Sequence, residues 1–295
     1  MNDKKMIWGH IVGIITVLCW GGTFINTKYL IMGGLKPHEI FFLRFLIAYI
    51  CIWFISPRRL FCNHWKDEAL MVLIGITGGS LFFQAENMAV ALSYTTNVSF
   101  IGCTAPLITT CMAIAMVKSV KADTRLVLGS LIALAGVGIV IFNGQFVLHL
   151  NPLGDLLALL SAMAWAVYSL LMKRASSRYG AVFITRKVFF YGLITILPMF
   201  AIEPWTFPFH DFLKPTIWLN LLFLGFVASF VCFALWSWVI RKIGAMKASN
   251  YIYLNPVTTV IASAIFLNEP MTIIAYVGSA LILVGVYVSN QAKGI

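Results

Sequence analysis

The amino-acid sequence predicts an all-α integral membrane protein with ten transmembrane helices, arranged as two inverted five-helix repeats with both termini in the cytoplasm. Three observations support this fold class. Apolar residues fall in long blocks, basic residues concentrate in every second loop, and the two halves of the chain share features in register. Of the 295 residues, 61% are hydrophobic and only 11% are charged, whereas a soluble domain carries about 25% charged residues.

The apolar blocks are each long enough to cross a bilayer, whose hydrocarbon core of about 30 Å needs about 20 helical residues. We place them near residues 8–32, 37–56, 69–91, 97–117, 126–143, 153–172, 182–202, 216–240, 248–267 and 271–290. The strands of a transmembrane β-barrel would instead alternate apolar and polar residues. Because the blocks are apolar on every face, the sequence disfavours a barrel.

The basic residues indicate how these helices are oriented. No basic run exceeds two residues, so the net charge of +11 does not predict nucleic-acid binding. Basic clusters recur near the termini and in alternate loops: Lys4/Lys5, Arg58/Arg59/Lys66, Lys118/Lys121/Arg125, Lys173/Arg174/Arg178, Arg241/Lys242/Lys247 and Lys293. The other loops hold little beyond Lys36 and Lys214. Cytoplasmic loops carry the Lys/Arg excess, so both termini are predicted to be cytoplasmic.

Nothing in the sequence indicates a bound metal or cofactor, and we expect none. The six cysteines form no CxxC pair and five of them lie inside apolar blocks, which predicts neither a disulfide framework nor a zinc site. No P-loop is present, so ATP-driven chemistry is not indicated.

An internal repeat divides the chain into residues 1–145 and 146–295. A shift of about 150 residues brings these pairs into register: Gly75/Gly225, Ser99/Ser249, Pro106/Pro256, Gly129/Gly278 and Gly136/Gly285. A slightly smaller shift aligns Trp20 with Trp165. Because each half holds an odd number of spans, two similar halves in succession must lie in opposite orientations, as in many secondary transporters. We expect the four paired glycines of the last spans to allow close helix packing.

Several short motifs recur in an order and spacing that point to one family. The second half contains Ile243-Gly244-Ala245-Met246-Lys247-Ala248-Ser249, Tyr253-Leu254-Asn255-Pro256-Val257 and Leu267-Asn268-Glu269-Pro270. The first half contains Leu18-Cys19-Trp20-Gly21-Gly22-Thr23-Phe24, Ala91-Leu92-Ser93-Tyr94-Thr95-Thr96 and Ala105-Pro106. With these motifs, nearly the whole chain resembles the EamA-type members of the drug/metabolite transporter superfamily.

The resemblance implies a carrier of small metabolites, often an exporter of amino acids or related compounds. It also implies a central cavity lined mainly by the first, third, fourth, sixth, eighth and ninth helices. One position departs from the family pattern. Lys118-Ser119-Val120 stands where the family often has a glutamate-containing turn such as Glu269-Pro270, so we interpret that turn as a helix end rather than a proton site.

Glu86 is the most informative single residue, because it lies deep in the third apolar block. A carboxylate at that depth is costly unless it is paired, neutralised or hydrated, and it marks a candidate functional site. Arg44, at similar depth in the second block, is its expected partner. The sequence leaves three alternatives open: a fixed Arg44–Glu86 pair that only joins helices, a substrate or proton role for Glu86, and exposure at the interface.

Further candidates lie in the other blocks. We expect the substrate site to include the aromatic residues Trp20, Phe24, Trp165, Tyr168, Trp236 and Tyr251 and the polar residues Ser99 and Asn255. For each aromatic residue, ordinary helix packing is the alternative. Pro106 and Pro256 are expected to bend their helices, either as hinges or as static kinks. Arg186 and Lys187 are interpreted as topology charges whose long side chains reach the interface. For Arg186, the approximate counterpart of Arg44 in the repeat, a gate is the alternative.

Together these features predict a secondary transporter of small metabolites in the plasma membrane, the inner membrane in a bacterium. Amino acids or related compounds are the expected cargo, export by alternating access the expected direction, and protons a candidate coupling ion. Two alternatives remain at this point. A membrane-embedded enzyme acting on lipid-linked substrates would need a cluster of acids, histidines or cysteines at one depth, and the five histidines are scattered. A non-transporting membrane subunit would move no solute alone.

Overall fold

The computed structural model describes residues 3–56, 59–93, 95–116, 123–142, 151–258 and 273–292. Within these ranges the chain is helical and has no β-strand. The α-helices are α1 (Asp3–Gly21), α2 (Thr23–Met32), α3 (Pro37–Ile52), α4 (Trp65–Gly75), α5 (Leu81–Leu92), α6 (Thr95–Gly102), α7 (Ala105–Met116), α8 (Thr124–Phe142), α9 (Pro152–Ala175), α10 (Ala181–Ile202), α11 (Pro215–Leu222), α12 (Cys232–Ile243), α13 (Ala245–Ser249) and α14 (Ile273–Asn290). Segments Ile76–Ser80 and Phe223–Val231 are π-helical, and Phe209–Leu213 and Asn250–Leu254 are 3-10 helices.

Several helical runs are long and apolar enough to cross a membrane. In the described part of the chain six qualify: Met6–Met32, Trp65–Leu92, Val98–Met116, Pro152–Ala175, Ala181–Ile202 and Pro215–Ile243. Two shorter apolar helices cover Thr124–Val140 and Tyr276–Asn290. All eight overlap predicted blocks, which confirms a helical protein with several membrane spans. Residues 259–267 of the predicted ninth block lie outside the described residues.

Helix α9 illustrates how the sequence positions these helices. It begins at Pro152, and the side-chain oxygen of Asn151 accepts the N–H of Gly154 at 3.0 Å, which satisfies one of the free donors of the first turn. One face exposes leucines at helical spacing: Leu153, Leu156 and Leu160. The opposite face is buried and carries Ser161, Trp165, Tyr168 and Met172. The helix therefore presents an apolar face to lipid and an aromatic, partly polar face to the interior.

The third and eighth spans are interrupted at corresponding places by the two π-helical segments. Such bulges are frequent at functional sites. Gly79, in the first segment, has non-helical dihedral angles of φ −125° and ψ −105°. Each segment binds a neighbouring helix through a serine: Ser80 shares a hydrogen bond of 2.7 Å with Thr195 of α10, and Ser229 accepts one of 2.9 Å from Arg44 of α3.

Helices α8 and α14 pack closely through the four predicted glycines. A Cβ atom on Gly129 would collide with the carbonyl oxygen of Gly285, and one on Gly285 with that of Gly129. Gly136 and Gly278 make the same reciprocal contact. The later glycine of α8 therefore meets the earlier glycine of α14, so the two helices run antiparallel. The prediction that these glycines permit close packing is confirmed.

Candidate functional site

A cavity lies inside the helical bundle and brings together most of the predicted site residues. It contains about 650 Å³ of space between protein atoms, counting the space at its mouth. Seven predicted residues line it: Trp20, Phe24, Arg44, Glu86, Ser99, Trp165 and Asn255. A mostly apolar cavity with a few polar groups suits a small organic ligand.

Glu86 projects from α5 into this cavity, and its side chain is half-buried. The carboxylate makes no hydrogen bond and no ion pair with any residue that the structure describes. A carboxylate in such surroundings is strongly destabilising unless a proton, water or a ligand compensates it. The arrangement leaves Glu86 available to a cationic group that enters the cavity.

Arg44 reaches the same cavity from α3 and is 2% exposed. Besides its bond to Ser229, its guanidinium carbon lies 4.2 Å from the ring centroid of Phe83, a cation–π distance. Its nitrogens are more than 4.0 Å from the Glu86 carboxylate, so the two groups form no direct ion pair. Of the three alternatives, a fixed pair in direct contact is therefore not what the structure describes, although the two charges interact across the cavity. Ser229 and Phe83 instead orient the arginine, and the two opposite charges face one cavity separately.

Aromatic side chains form the wall beside these charges. Trp20 packs against Trp165 with ring centroids 5.4 Å apart and against Trp236 at 5.1 Å. Its indole N–H donates to the carbonyl oxygen of Ala228 at 2.8 Å, which fixes the ring between the two halves of the chain. Phe233 packs against both Trp20 and Trp165. The wall is therefore a packed cluster, not isolated rings.

Three predicted residues do not line the cavity. Tyr168 and Trp236 lie one layer behind it, since both pack against Trp165, at 5.0 Å and 6.2 Å between ring centroids. Tyr251 lies elsewhere, and its hydroxyl shares a hydrogen bond of 2.5 Å with Nδ1 of His10. Tyr251 therefore contacts α1 and not the cavity.

The two prolines lie directly after interruptions of their spans. Pro106 is the second residue of α7, and Cys103 and Thr104 separate α7 from α6. Pro256 follows the 3-10 helix Asn250–Leu254 and lies in the helical residues 255–258. Both therefore begin a new helical segment, where a missing N–H costs little, and neither kinks a continuous helix.

The sequence reasoning missed ten residues that line the cavity: Thr23, Phe82, Phe83, Gly102, Cys103, Ala105, Ser161, Ala162, Phe233 and Ile252. Helical spacing could have identified some of them. Phe82 and Phe83 lie one turn before Glu86, and Ser161 lies one turn before Trp165. Gly102 gave no signal, because its role is to leave space: a Cβ there would meet nothing within 4 Å.

A second cluster of polar side chains lies near the starts of α4 and α10. Lys187 and Tyr191 both donate to the Glu68 carboxylate, which also accepts the N–H of Cys62 at 2.7 Å. The Lys187 side chain is only 3% exposed. The interpretation of Lys187 as a charge that reaches the interface is therefore wrong, because a carboxylate inside the bundle holds it.

Neighbouring groups extend this network. Arg186 is 2% exposed; it donates to the carbonyl oxygen of Arg59, and its guanidinium lies over the ring of Trp53, so its interfacial assignment is wrong too. Asp67 accepts from Arg178 at 2.6 Å and from the Tyr179 hydroxyl at 2.8 Å. Burial, followed by the hydrogen bond to Asp67, raises the pKa of Tyr179. Burial beside Glu68 raises the pKa of the Cys62 thiol to about 11.

An all-helical chain with several membrane spans around a cavity of aromatic and charged groups belongs to the class of multi-pass membrane proteins. The particular family follows from comparison. The model of the EamA-like transporter family matches residues 7–142 and 152–291, so the chain belongs to that family, and the resemblance inferred from its motifs is confirmed.

Relatives from archaea and bacteria align over almost the whole chain. An uncharacterized transporter of Archaeoglobus fulgidus is 25% identical over 99% of both chains. A probable amino-acid metabolite efflux pump of Escherichia coli is 24% identical over 95% of this chain and 93% of its own. A solved crystal structure shares the fold with a TM-score of 0.76 and 18% identity, and covers 98% of this chain and 97% of its own.

Proposed function

We propose that this protein is a secondary transporter that exports amino acids or closely related metabolites across the plasma membrane, the inner membrane in a bacterium. The observation that carries the proposal is the separation of Arg44 and Glu86 around one aromatic cavity. An amino acid has a carboxylate and an ammonium group on the same carbon. Arg44 would bind the carboxylate, Glu86 the ammonium group, and the tryptophans and phenylalanines an apolar side chain.

Alternating access would follow from ten spans in two inverted repeats, residues 1–145 and 146–295, with both termini in the cytoplasm. The antiparallel packing of α8 and α14, the last spans of the two halves, supports this arrangement. So do the corresponding π-helical interruptions of the third and eighth spans. If the halves exchange their slightly different conformations, the cavity changes the side to which it opens.

Proton coupling is part of the proposal and runs through Glu86. A carboxylate that has no direct ion pair in an apolar cavity can be neutralised by a proton or balanced by a cationic group. The two would compete, so a proton entering from one side would release the ammonium group of the cargo. The name of the Escherichia coli relative is compatible with such cargo.

The test uses purified protein in proteoliposomes with a panel of labelled amino acids. We expect Glu86→Gln to reduce transport at least tenfold, because a hydrogen bond to a charged group contributes about 1.5–3 kcal/mol. Gly102→Leu should block transport by filling the cavity without changing a charge. Glu203→Gln is the matched control, because Glu203 is exposed and lies outside the cavity.

The same experiment distinguishes the alternatives. Movement of chemically unchanged solute by the purified protein argues against both an enzyme and a subunit without transport of its own. A pH gradient should accelerate transport in the wild type and have no effect in Glu86→Gln. Full activity in Glu86→Gln and Gly102→Leu would refute the cavity as the transport site.

A further inference from the structure

A groove separate from the transport cavity lies between α4 and α9, on the outer surface of the bundle. It contains about 830 Å³, including open space at its mouth. The start of α4 and the end of α9 meet there, so two basic clusters that are distant in sequence become neighbours. Lys66 comes from the first cluster, and Arg174 and Arg178 come from the second.

The charge of the groove is not balanced. Its one carboxylate, Asp67, is already bound by Arg178 and by the Tyr179 hydroxyl. Lys66 and Arg174 are exposed, and neither forms an ion pair with a residue in the described part of the chain. With three cations and one carboxylate, the groove carries a net charge of +2 that is open to an anion.

The groove changes from charged to apolar along both of its helices. On α4, Leu70 and Leu73 follow Lys66 by one and two turns; on α9, Leu171 precedes Arg174 by one turn. Leu73 remains 50% exposed. Trp65, which is 76% exposed, lies beside Lys66 at the charged end, and exposed tryptophans mark the headgroup level of a membrane.

The groove is charged at one end and apolar along the rest of its length. This order matches a phospholipid, whose headgroup lies at the membrane surface and whose acyl chains extend into the membrane. We propose that the groove binds an anionic phospholipid, with its phosphate on Lys66 and Arg174 and an acyl chain along Leu70, Leu73 and Leu171. Basic pockets between transmembrane helices bind anionic headgroups in this manner. A soluble phosphate would leave the leucines uncovered, and phosphatidylcholine would bring its own cation to a cationic site.

Occupancy would also have a mechanical effect. Helix α4 belongs to the first half of the chain and α9 to the second, so the lipid would hold the two halves together at this end. Arg178 already joins them through Asp67. The lipid therefore favours the conformation described here over one in which α4 and α9 separate.

The test measures binding of phosphatidylglycerol and phosphatidylcholine to the delipidated full-length protein by native mass spectrometry. We expect the wild type to prefer phosphatidylglycerol about tenfold, and Lys66→Gln/Arg174→Gln to lose that preference. The control Arg125→Gln/Arg241→Gln removes two exposed charges elsewhere and should keep it. Folding of each variant is checked by circular dichroism and gel filtration.

Two further measurements test whether the bound phosphate belongs to a lipid and whether the leucines of the groove contribute to binding. Inorganic phosphate should not displace phosphatidylglycerol, and Leu73→Asn should weaken its binding while leaving the charges intact. Retention of the wild-type preference by Lys66→Gln/Arg174→Gln, or full displacement by inorganic phosphate, would overturn the proposal.

Discussion

Glu68 and Glu86 are carboxylates on one membrane span, separated by the π-helical segment Ile76–Ser80, and their surroundings are opposite. Glu68 accepts hydrogen bonds from Lys187, Tyr191 and a backbone N–H. Glu86 accepts none from the residues described. A charge inside a membrane protein is stable only when it is compensated. The first carboxylate is compensated by direct hydrogen bonds and an ion pair, which indicates a structural role, whereas the second interacts with Arg44 only across the cavity and keeps its hydrogen-bonding capacity for what enters it.

The largest expected effect is on the Glu68 side of this comparison. Glu68→Gln leaves Lys187 buried without its carboxylate. Loss of one partner from a buried ion pair costs about 3–5 kcal/mol, and the lower end applies because Glu68 is partly exposed. We expect the apparent Tm in detergent to fall by roughly 6–12 °C, given about 2–4 °C per kcal/mol.

Glu86→Gln should behave differently in the same unfolding measurement. It breaks no hydrogen bond with the described residues, but it removes the opposite charge that the buried Arg44 meets across the cavity, so the apparent Tm should fall by less than in Glu68→Gln. The double variant Glu68→Gln/Lys187→Met should recover part of the loss seen in Glu68→Gln, because no lone charge remains. Equal destabilisation by Glu68→Gln and Glu86→Gln would abolish the distinction between the two carboxylates.

The segment between the two glutamates is the next target. Gly78 faces the ring of Tyr168 so closely that a Cβ atom would overlap it, and Tyr168 itself is fully buried. We expect Gly78→Ala to cost about 1–3 kcal/mol by overpacking, measured as a lower apparent Tm. Because Tyr168 packs against Trp165 in the cavity wall, transport should fall as well.

Gly180→Ala is the matched control for this substitution. Gly180 precedes α10 with φ −71°, and a Cβ there would meet nothing within 4 Å. Its apparent Tm should stay near that of the wild type. Equal stability of Gly78→Ala and Gly180→Ala would mean that the π-helical segment can move away from Tyr168 without cost.

The smallest effect concerns the edge of the Glu68 network, where Tyr179 donates to Asp67. Its pKa is raised in the folded protein, so its contribution is complete below the unfolded value of about 10 and is lost as pH rises through the folded value. Tyr179→Phe should therefore be about 1 kcal/mol less stable than the wild type at pH 8. The difference should shrink at strongly alkaline pH, while the N–H of Asn63, which donates to the Tyr179 oxygen at 3.0 Å, keeps part of it.

This titration needs a background free of a second group that loses its proton in the same range. The Cys62 thiol, with its pKa raised to about 11, is such a group, so both proteins carry Cys62→Ala. The Arg59 guanidinium also faces Tyr179, at 6.0 Å from its ring centroid. A constant difference between the two proteins at all pH values would show that Tyr179 does not contribute by donating its proton.

Apolar block length predicted the helical membrane fold, because the bilayer imposes a length on every span. Depth along a span was also sufficient to identify Glu86 and Arg44 as candidates for one site. Depth does not determine which neighbour a side chain meets. The pairing of Lys187 with Glu68, and of Arg44 with Ser229 instead of Glu86, depends on how helices distant in sequence rotate against each other. Hydropathy also gave no sign of the π-helical segments, because one extra residue in a turn does not change the hydropathy of the span.

The reciprocal glycine contacts between α8 and α14 have a consequence for the ancestry of the chain. Gly129 meets Gly285, and Gly136 meets Gly278. Because the repeat pairs Gly129 with Gly278 and Gly136 with Gly285, these are the two contacts that two copies of one helix make across a twofold axis. A half-length protein that inserted in both directions could form this joint with itself. In such a dimer, every substitution at this contact would be present in both copies of the helix. After duplication and fusion of the gene, each glycine could change independently.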